Sequence, residues 1–125
     1  HRYEEQTDFT MGMWLDGRYV GGTGYHLRWG PVTSEIAEIG MWVRADVAGS
    51  GFGTRALGAL LEWGFTEWPW RKLLWQCSSL NGASARVAEK NRMTLEGTLR
   101  EQGLCVAGAP TDSLMFGMLR SEWKP

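Results

Sequence analysis

Ala48-Gly49-Ser50-Gly51-Phe52-Gly53-Thr54 is the stretch on which the reading of this chain turns. Before it runs Ile39-Gly40-Met41-Trp42-Val43, an apolar strand pattern. After it runs Arg55-Ala56-Leu57-Gly58-Ala59-Leu60-Leu61-Glu62-Trp63, a helical one. A glycine-rich turn from strand into helix leaves backbone N–H groups without intrahelical acceptors, and the helix dipole adds partial positive charge there. Glycines let that backbone approach a ligand closely, so the turn can cradle a phosphate. A loop that merely needs unusual dihedrals would carry the same glycines, so the flanking sequence has to separate the two.

Working outward, Phe9, Met11, Met13 and Leu15 alternate with Thr10, Gly12 and Trp14, a period of two that reads as a strand. Asp16-Gly17 signals a hairpin turn, and Tyr19 to Arg28 reads as the return strand. Glu35 to Val43 is the third strand, with Ala37, Ile39, Met41 and Val43 on one face and Glu38 on the other. A carboxylate on an otherwise apolar strand is either ion-paired at an edge or placed to act as a base near neutral pH. The helix after the glycine turn spans Phe52 to Glu67 and stops at Trp68-Pro69-Trp70. Leu73 to Cys77 reads as a central strand, and Asn81 to Lys90 as a short helix with Asn81 as N-cap. Thr94 to Arg100 and Ser113 to Leu119 are the last strands, and the tail from Arg120 suits one helical turn. The order is β-β-β-α-β-α-β-β, in one α/β (α+β) domain over residues 1–125.

A chain of 125 residues can bury a modest core. A net charge of -1 gives no electrostatic case for nucleic acid, and no run of like charges suggests a membrane surface. No apolar stretch approaches the roughly 18 residues of a membrane span. Cys77 and Cys105 lack metal-ligand spacing. With no secretory signal, a reduced cytoplasmic chain is the expectation. The eight tryptophans are expected to fill the core, with groove lining as their other use.

Three phosphate-binding readings of the glycine turn compete. The P-loop pattern fails because no Lys-Ser/Thr pair follows the glycines. The dinucleotide fingerprint fails because its third glycine falls at Thr54, and the next strand ends in Gln76-Cys77-Ser78-Ser79 without an acidic residue. A third pattern fits. Ala37 to Val43, Gly49 to Thr54 with Ala56-Leu57, Asn81-Gly82-Ala83-Ser84 with Val87-Ala88-Glu89-Lys90, and Leu95-Glu96-Gly97 follow in the right order and spacing. From Glu35 to Gly97 the chain resembles the GNAT family of acyl-CoA-dependent N-acyltransferases, in its RimJ/RimL-like branch.

The resemblance implies a mixed, mostly antiparallel sheet with helices on both faces, and acetyl-CoA as co-substrate. It implies that Gly49, Ser50, Gly51, Phe52, Gly53 and Thr54 hold the pyrophosphate. It implies that the backbone of Met41, Trp42 and Val43 pairs with the pantetheine arm, in an opening where the strands splay. Asn81 matches the asparagine that contacts the cofactor arm, and Ser84 the hydroxyl near the sulfur. Glu38 is expected to accept the amine's proton, with His26 as the alternative base, and Ser84 to assist the departing thiolate. The implied partners are a CoA thioester and an amine acceptor, such as a protein N-terminus or a small molecule. A homodimer through the final strands is compatible with the pattern.

Three departures qualify the match. The pyrophosphate pattern [RQ]-x-x-G-x-[GA] has Ala48 in its first position. Asn91-Arg92-Met93 stands where the family has Leu-Gly-Phe, so Asn91 is expected to supply a left-handed C-cap and Met93 to fill the phenylalanine's slot. The family ordinarily has a strand and two helices before the hairpin, and a chain opening at His1 is read as N-terminally incomplete. Arg86 either reaches a phosphate or is solvated. A CoA-binding module without catalysis, or an interaction domain using its tryptophans, are the rival readings.

Overall fold

A computed structural model describes residues 8–103 and 107–125. Asp8–Leu15 (β1) and Arg18–His26 (β2) form the expected hairpin. Its turn residues Asp16 (φ 51°) and Gly17 (φ 80°) are both left-handed, the geometry that an Asp-Gly pair favours in a tight hairpin. Ile36–Val43 (β3) follows, then Phe52–Thr66 (α1), Lys72–Ser78 (β4), Gly82–Lys90 (α2), Thr94–Leu99 (β5) and Ser113–Leu119 (β6). The order of elements is the one expected. The strands form one sheet in the order β1-β2-β3-β4-β6-β5. Among the described residues only β3 and β4 pair in parallel; the other neighbours are antiparallel. The α1 crossover makes that parallel pair possible, since a tight turn cannot join parallel strands.

The period of two sorts the side chains. Ala37, Ile39, Leu73 and Trp75 face one way and pack against Leu57, Leu60, Leu61 and Phe65 of α1. The Tyr25 hydroxyl reaches through this layer and donates to the Leu60 carbonyl at 2.6 Å. Ala88 of α2 joins the same cluster, and the Trp75 indole N–H donates to Ser84 on that helix. Both helices therefore lie on one face. The expectation of helices on both faces holds for one face alone among the described residues. The reason is parity: Leu73, Trp75 and Cys77 all point one way from β4, and both amphipathic helices bury their apolar stripes against that side.

Helix ends show how the chain is tied down. After α1, the Arg120 guanidinium donates to the carbonyls of Phe65, Trp68 and Trp70. Arg120 opens a short 3-10 turn, Arg120–Glu122, where a helical turn was expected. After α2, the expected left-handed cap is not Asn91 (φ -92°) but Arg92 (φ 63°). The Asn91 amide is occupied instead, donating to Val87 O at 2.9 Å and Thr54 O at 3.1 Å, which ties the end of α2 to the start of α1. Met93 is buried in the main core, as its expected role requires.

The tryptophans divide. Trp70 and Trp75 are buried, and Trp68 and Trp123 are partly buried against the core. Trp14, Trp29, Trp42 and Trp63 are exposed. The core-filling expectation thus holds for half of them.

Candidate active site

The site begins where a ladder stops. β3 and β4 pair at Ile36–Lys72, Ala37–Leu73 and Glu38–Leu74, and the pairing ends there. β3 runs on to Val43 and β4 to Ser78. From Ile39 onward β3 keeps its other neighbour, β2, as far as Val43. One edge of Ile39–Val43 therefore carries backbone N–H and C=O groups without a strand partner. Such groups seek partners, so a bare edge beside a groove is a place for an extended ligand to pair.

A groove of about 390 Å³ opens at this splay. Met41 and Val43 line it from β3, Gly49, Gly51, Gly53 and Thr54 from the glycine turn, and Asn81, Ser84 and Arg86 from α2. Residues far apart in sequence thus meet around one opening. Gly49 (φ 84°) and Gly51 (φ 88°) are left-handed, and Gly51 is the N-cap of α1. Gly53 is different. It sits inside the helix, and a Cβ there would meet only Val87 Cγ2, at an ordinary 3.6 Å. Neither strain nor packing demands glycine at 53, which leaves close approach of a ligand as its physical rationale.

Three expected residues present something other than a side chain. The Ser50 hydroxyl donates to Val47 O at 2.6 Å, shaping the turn. Phe52 is buried in a second cluster with Met13, Val20 and Val47. Trp42 turns its side chain to the opposite face, across Gly22, where a Cβ would lie 2.5 Å from its Nε1. Only backbone atoms of these residues are available to the groove.

Asn81 caps α2 by accepting from Ser84 N at 3.1 Å. The Ser84 hydroxyl accepts from Trp75 Nε1 at 3.2 Å and is hydrogen-bonded to the Cys77 thiol. Burial pushes the Cys77 thiol up, and the Ser84 hydroxyl draws it partly back. Cys77 is a free, buried cysteine. Cys105 lies outside the described residues.

Glu38 stands at the closed end of the splay, on the face opposite the helices. It is only 8 % exposed. Its Oε2 is 3.4 Å from Arg28 Nε, and its Oε1 is buried without a partner. A buried carboxylate oxygen with no donor is costly, so it is a feature in need of a function. His26 pairs with Glu38 across β2 and β3. Its Nδ1 lies 2.6 Å from Asp8 Oδ1, and its ring lies over Gly40. A second concavity on this face is lined by His26, Gly40, Met41 and Trp42. Met41 borders both openings. Glu38 and Ser84 thus lie on opposite sides of the sheet, with the bare strand edge between them.

Sequence reasoning missed Asp8 as a partner of His26, Arg28 as a partner of Glu38 and Trp75 as a partner of Ser84. No local pattern announces these cross-strand and strand-to-helix pairs. Among the described residues no cluster of metal-ligating side chains occurs, and no helix is long and apolar enough to cross a membrane.

The acetyltransferase (GNAT) domain pattern matches residues 1–94. A putative ribosomal N-acetyltransferase, YdaF of Bacillus subtilis (strain 168), is 27% identical over 123 residues, covering 98% of this chain and 66% of its own. The chain therefore spans about two thirds of the length of this relative. A crystal structure of a probable acetyltransferase superposes with a TM-score of 0.84 at 27% identity, covering 97% of this chain and 67% of that one. RimL, a ribosomal L7/L12 alpha-N-protein acetyltransferase solved with coenzyme A, shares the fold at a TM-score of 0.80 and 23% identity, over 90% of this chain and 62% of its own. With the family pattern matched over residues 1–94, about three quarters of its length, the chain belongs to the GNAT acetyltransferase domain family.

Proposed function

We propose that this protein transfers an acetyl group from acetyl-CoA to a primary amine by direct attack. The observation that carries the reading is the end of the β3–β4 ladder at Glu38–Leu74, with the glycine cradle and the start of α2 lining the opening. Acetyl-CoA supplies the acyl group as a thioester. The backbone N–H groups from Gly49 to Thr54 hold its pyrophosphate, and Met41 to Val43 pair with its extended arm. Asn81 supports the arm from α2.

Attack requires a neutral amine, yet a lysine-type amine has a pKa of roughly 10.4 and is mostly protonated at neutral pH. Glu38 Oε1, buried and unpartnered, accepts that proton directly or through water. A backbone N–H near Trp42 or Val43 donates to the negative charge that builds on the acyl oxygen. Ser84 donates to the departing sulfur. The acceptor enters from the open face, where Glu38 and His26 lie, while CoA lies in the groove beside the helices. A reduced cytoplasmic setting suits the free thiol of Cys77.

Two experiments test this reading. A ligand at about a hundred times its Kd stabilises the fold by roughly 2.7 kcal/mol, so acetyl-CoA should raise the melting temperature visibly. Release of free thiol should then follow with at least one member of a primary-amine panel. Ala48 favours a second reading, a CoA-binding module without catalysis, which predicts the thermal shift but no thiol release with any amine. No thermal shift at all would remove both readings.

A further inference from the structure

The face of the sheet away from the helices holds a hollow of about 540 Å³ across β1, β2 and β3. The rings of Tyr19, His26 and Trp42 line it, and each lies over a glycine. A Cβ on Gly40 would stand 2.8 Å from His26 Nε2, and one on Gly22 would stand 2.5 Å from Trp42 Nε1. A Cβ on Gly12 would stand 3.0 Å from Tyr19 Cε1. None of these glycines has a left-handed backbone. Space, not backbone freedom, is therefore their physical reason: a side chain at 12, 22 or 40 would push a ring from its seat. One glycine comes from each of the three strands, so all three clear the same patch of sheet.

The rings are also set against one another. Trp14, Tyr19 and Trp42 form an edge-to-face ladder, with centroids 5.3 Å and 5.8 Å apart. All three are exposed, and large apolar groups exposed together mark a binding surface. At the other side of the hollow the His26 imidazole is fixed by its 2.6 Å contact with Asp8. Among the described residues that line the hollow, none is acidic.

This hollow is continuous with the reaction site. Met41 borders both it and the groove beside the helices. On this face β3 presents Glu38, Gly40 and Trp42 in succession. Residues two apart on one face of a strand stand roughly 6.6 Å apart. An amine held between Glu38 and the bare edge of β3 therefore has the Trp42–Tyr19 wall within reach of a two-carbon tether.

Resting on the reading of this protein as an acetyltransferase, we infer that its acceptor is an arylalkylamine, a primary amine whose flat ring enters this hollow and extends the aromatic ladder. Aromatic rings gain from edge-to-face and offset partners beyond the area that they bury. A saturated ring of the same carbon count is thicker and has no ring quadrupole to offer. The further cations of a polyamine would meet no carboxylate in the lining.

Thiol release from acetyl-CoA tests this with 2-phenylethylamine, 2-cyclohexylethylamine, n-butylamine and spermidine, in the wild type, Tyr19→Ala and Gly22→Ala. In the wild type kcat/KM for 2-phenylethylamine should exceed that for each other amine about tenfold. Tyr19→Ala removes one wall, and Gly22→Ala displaces the Trp42 indole without deleting a ring. Each variant should bring 2-phenylethylamine to within about threefold of n-butylamine, with the melting temperature as the control for folding. Equal or better use of any other amine by the wild type would overturn the inference and leave acetyl transfer standing. So would a preference for 2-phenylethylamine that survives in both variants. A changed oligomeric state in Tyr19→Ala, with that preference kept, would assign the rings to a second copy of the chain and overturn it as well. A protein that binds acetyl-CoA but releases no thiol with any amine removes the transfer reading itself, and this inference with it.

Discussion

The two ends of β3 make the same strand do two different jobs. Ile36 to Glu38 pairs with β4, and Glu38 is paired on its other edge as well, with His26 of β2. Ile39 to Val43 is paired on one edge only. The closed end rests on Ala37 and Leu73, both fully buried under α1. The open end lines a groove with Met41 and Val43. Hydrogen bonds that would complete a sheet are left unmade at one end and reserved for a ligand. The comparison teaches a division: the closed end should carry stability, and the open end should carry binding.

Substitutions on either side of the boundary can break or sharpen that division. Glu38, at the junction, should show the largest effect. Glu38→Gln removes a proton acceptor, and general bases contribute about 10²- to 10⁴-fold, so the transfer rate at neutral pH should fall by about a thousandfold. CoA affinity in the same variant should be nearly intact. An unchanged pH–rate profile would transfer the role to His26, whose ring is held by Asp8.

Leu73→Ala, at the closed end, should cost about 3 kcal/mol in denaturant unfolding, because it empties a fully buried site. The folded fraction should still bind CoA with ordinary affinity. A large binding defect there would mean that the two ends are not separable.

Gly53→Leu, at the open end, should do the reverse. The position is helical and has room for a Cβ, so the melting temperature should hold. CoA affinity should fall by about a hundredfold, close to 2.7 kcal/mol, as the side chain enters the groove. Gly53 is a cleaner probe than Gly51, whose left-handed backbone strains any larger residue. Undiminished binding would place the cradle elsewhere.

The smallest effect is expected at Tyr25, which pairs with Ile39 where the two ends meet. Tyr25→Phe deletes its hydrogen bond to Leu60 O and should cost about 1 kcal/mol of stability. Burial raises the phenol above its ordinary value of 10.0. Its contribution is therefore complete below pH 10 and is lost as pH rises above that value, since the unfolded chain ionises first. The wild type should lose more stability between neutral pH and strong alkali than Tyr25→Phe does. Parallel pH curves for the two proteins would sink this account.

Much of the fold was legible because it is set locally. Asp16-Gly17 required left-handed residues, and the hairpin has them. The period of two placed Ala37 and Ile39 on the core face, and helical spacing placed Leu57, Leu60 and Leu61 there as well. Asn81 was a cap by residue type and is a cap in the structure. Asn91 shows the limit of such reasoning. Its type suits a left-handed cap, but the chance to bond Thr54 O on another helix drew its amide away, and Arg92 took the left-handed position.

The sequence by itself determined the elements, their order, and the residue types gathered in the glycine turn and at the start of α2. Those follow from backbone stereochemistry and side-chain periodicity, which act over a few residues. Only the tertiary structure decided which face took both helices, where the β3–β4 ladder ends, and that Glu38 keeps one oxygen buried and unpartnered while Trp42 lies across Gly22. Those depend on how strands twist apart and helices settle between them, through contacts tens of residues apart that no local pattern encodes.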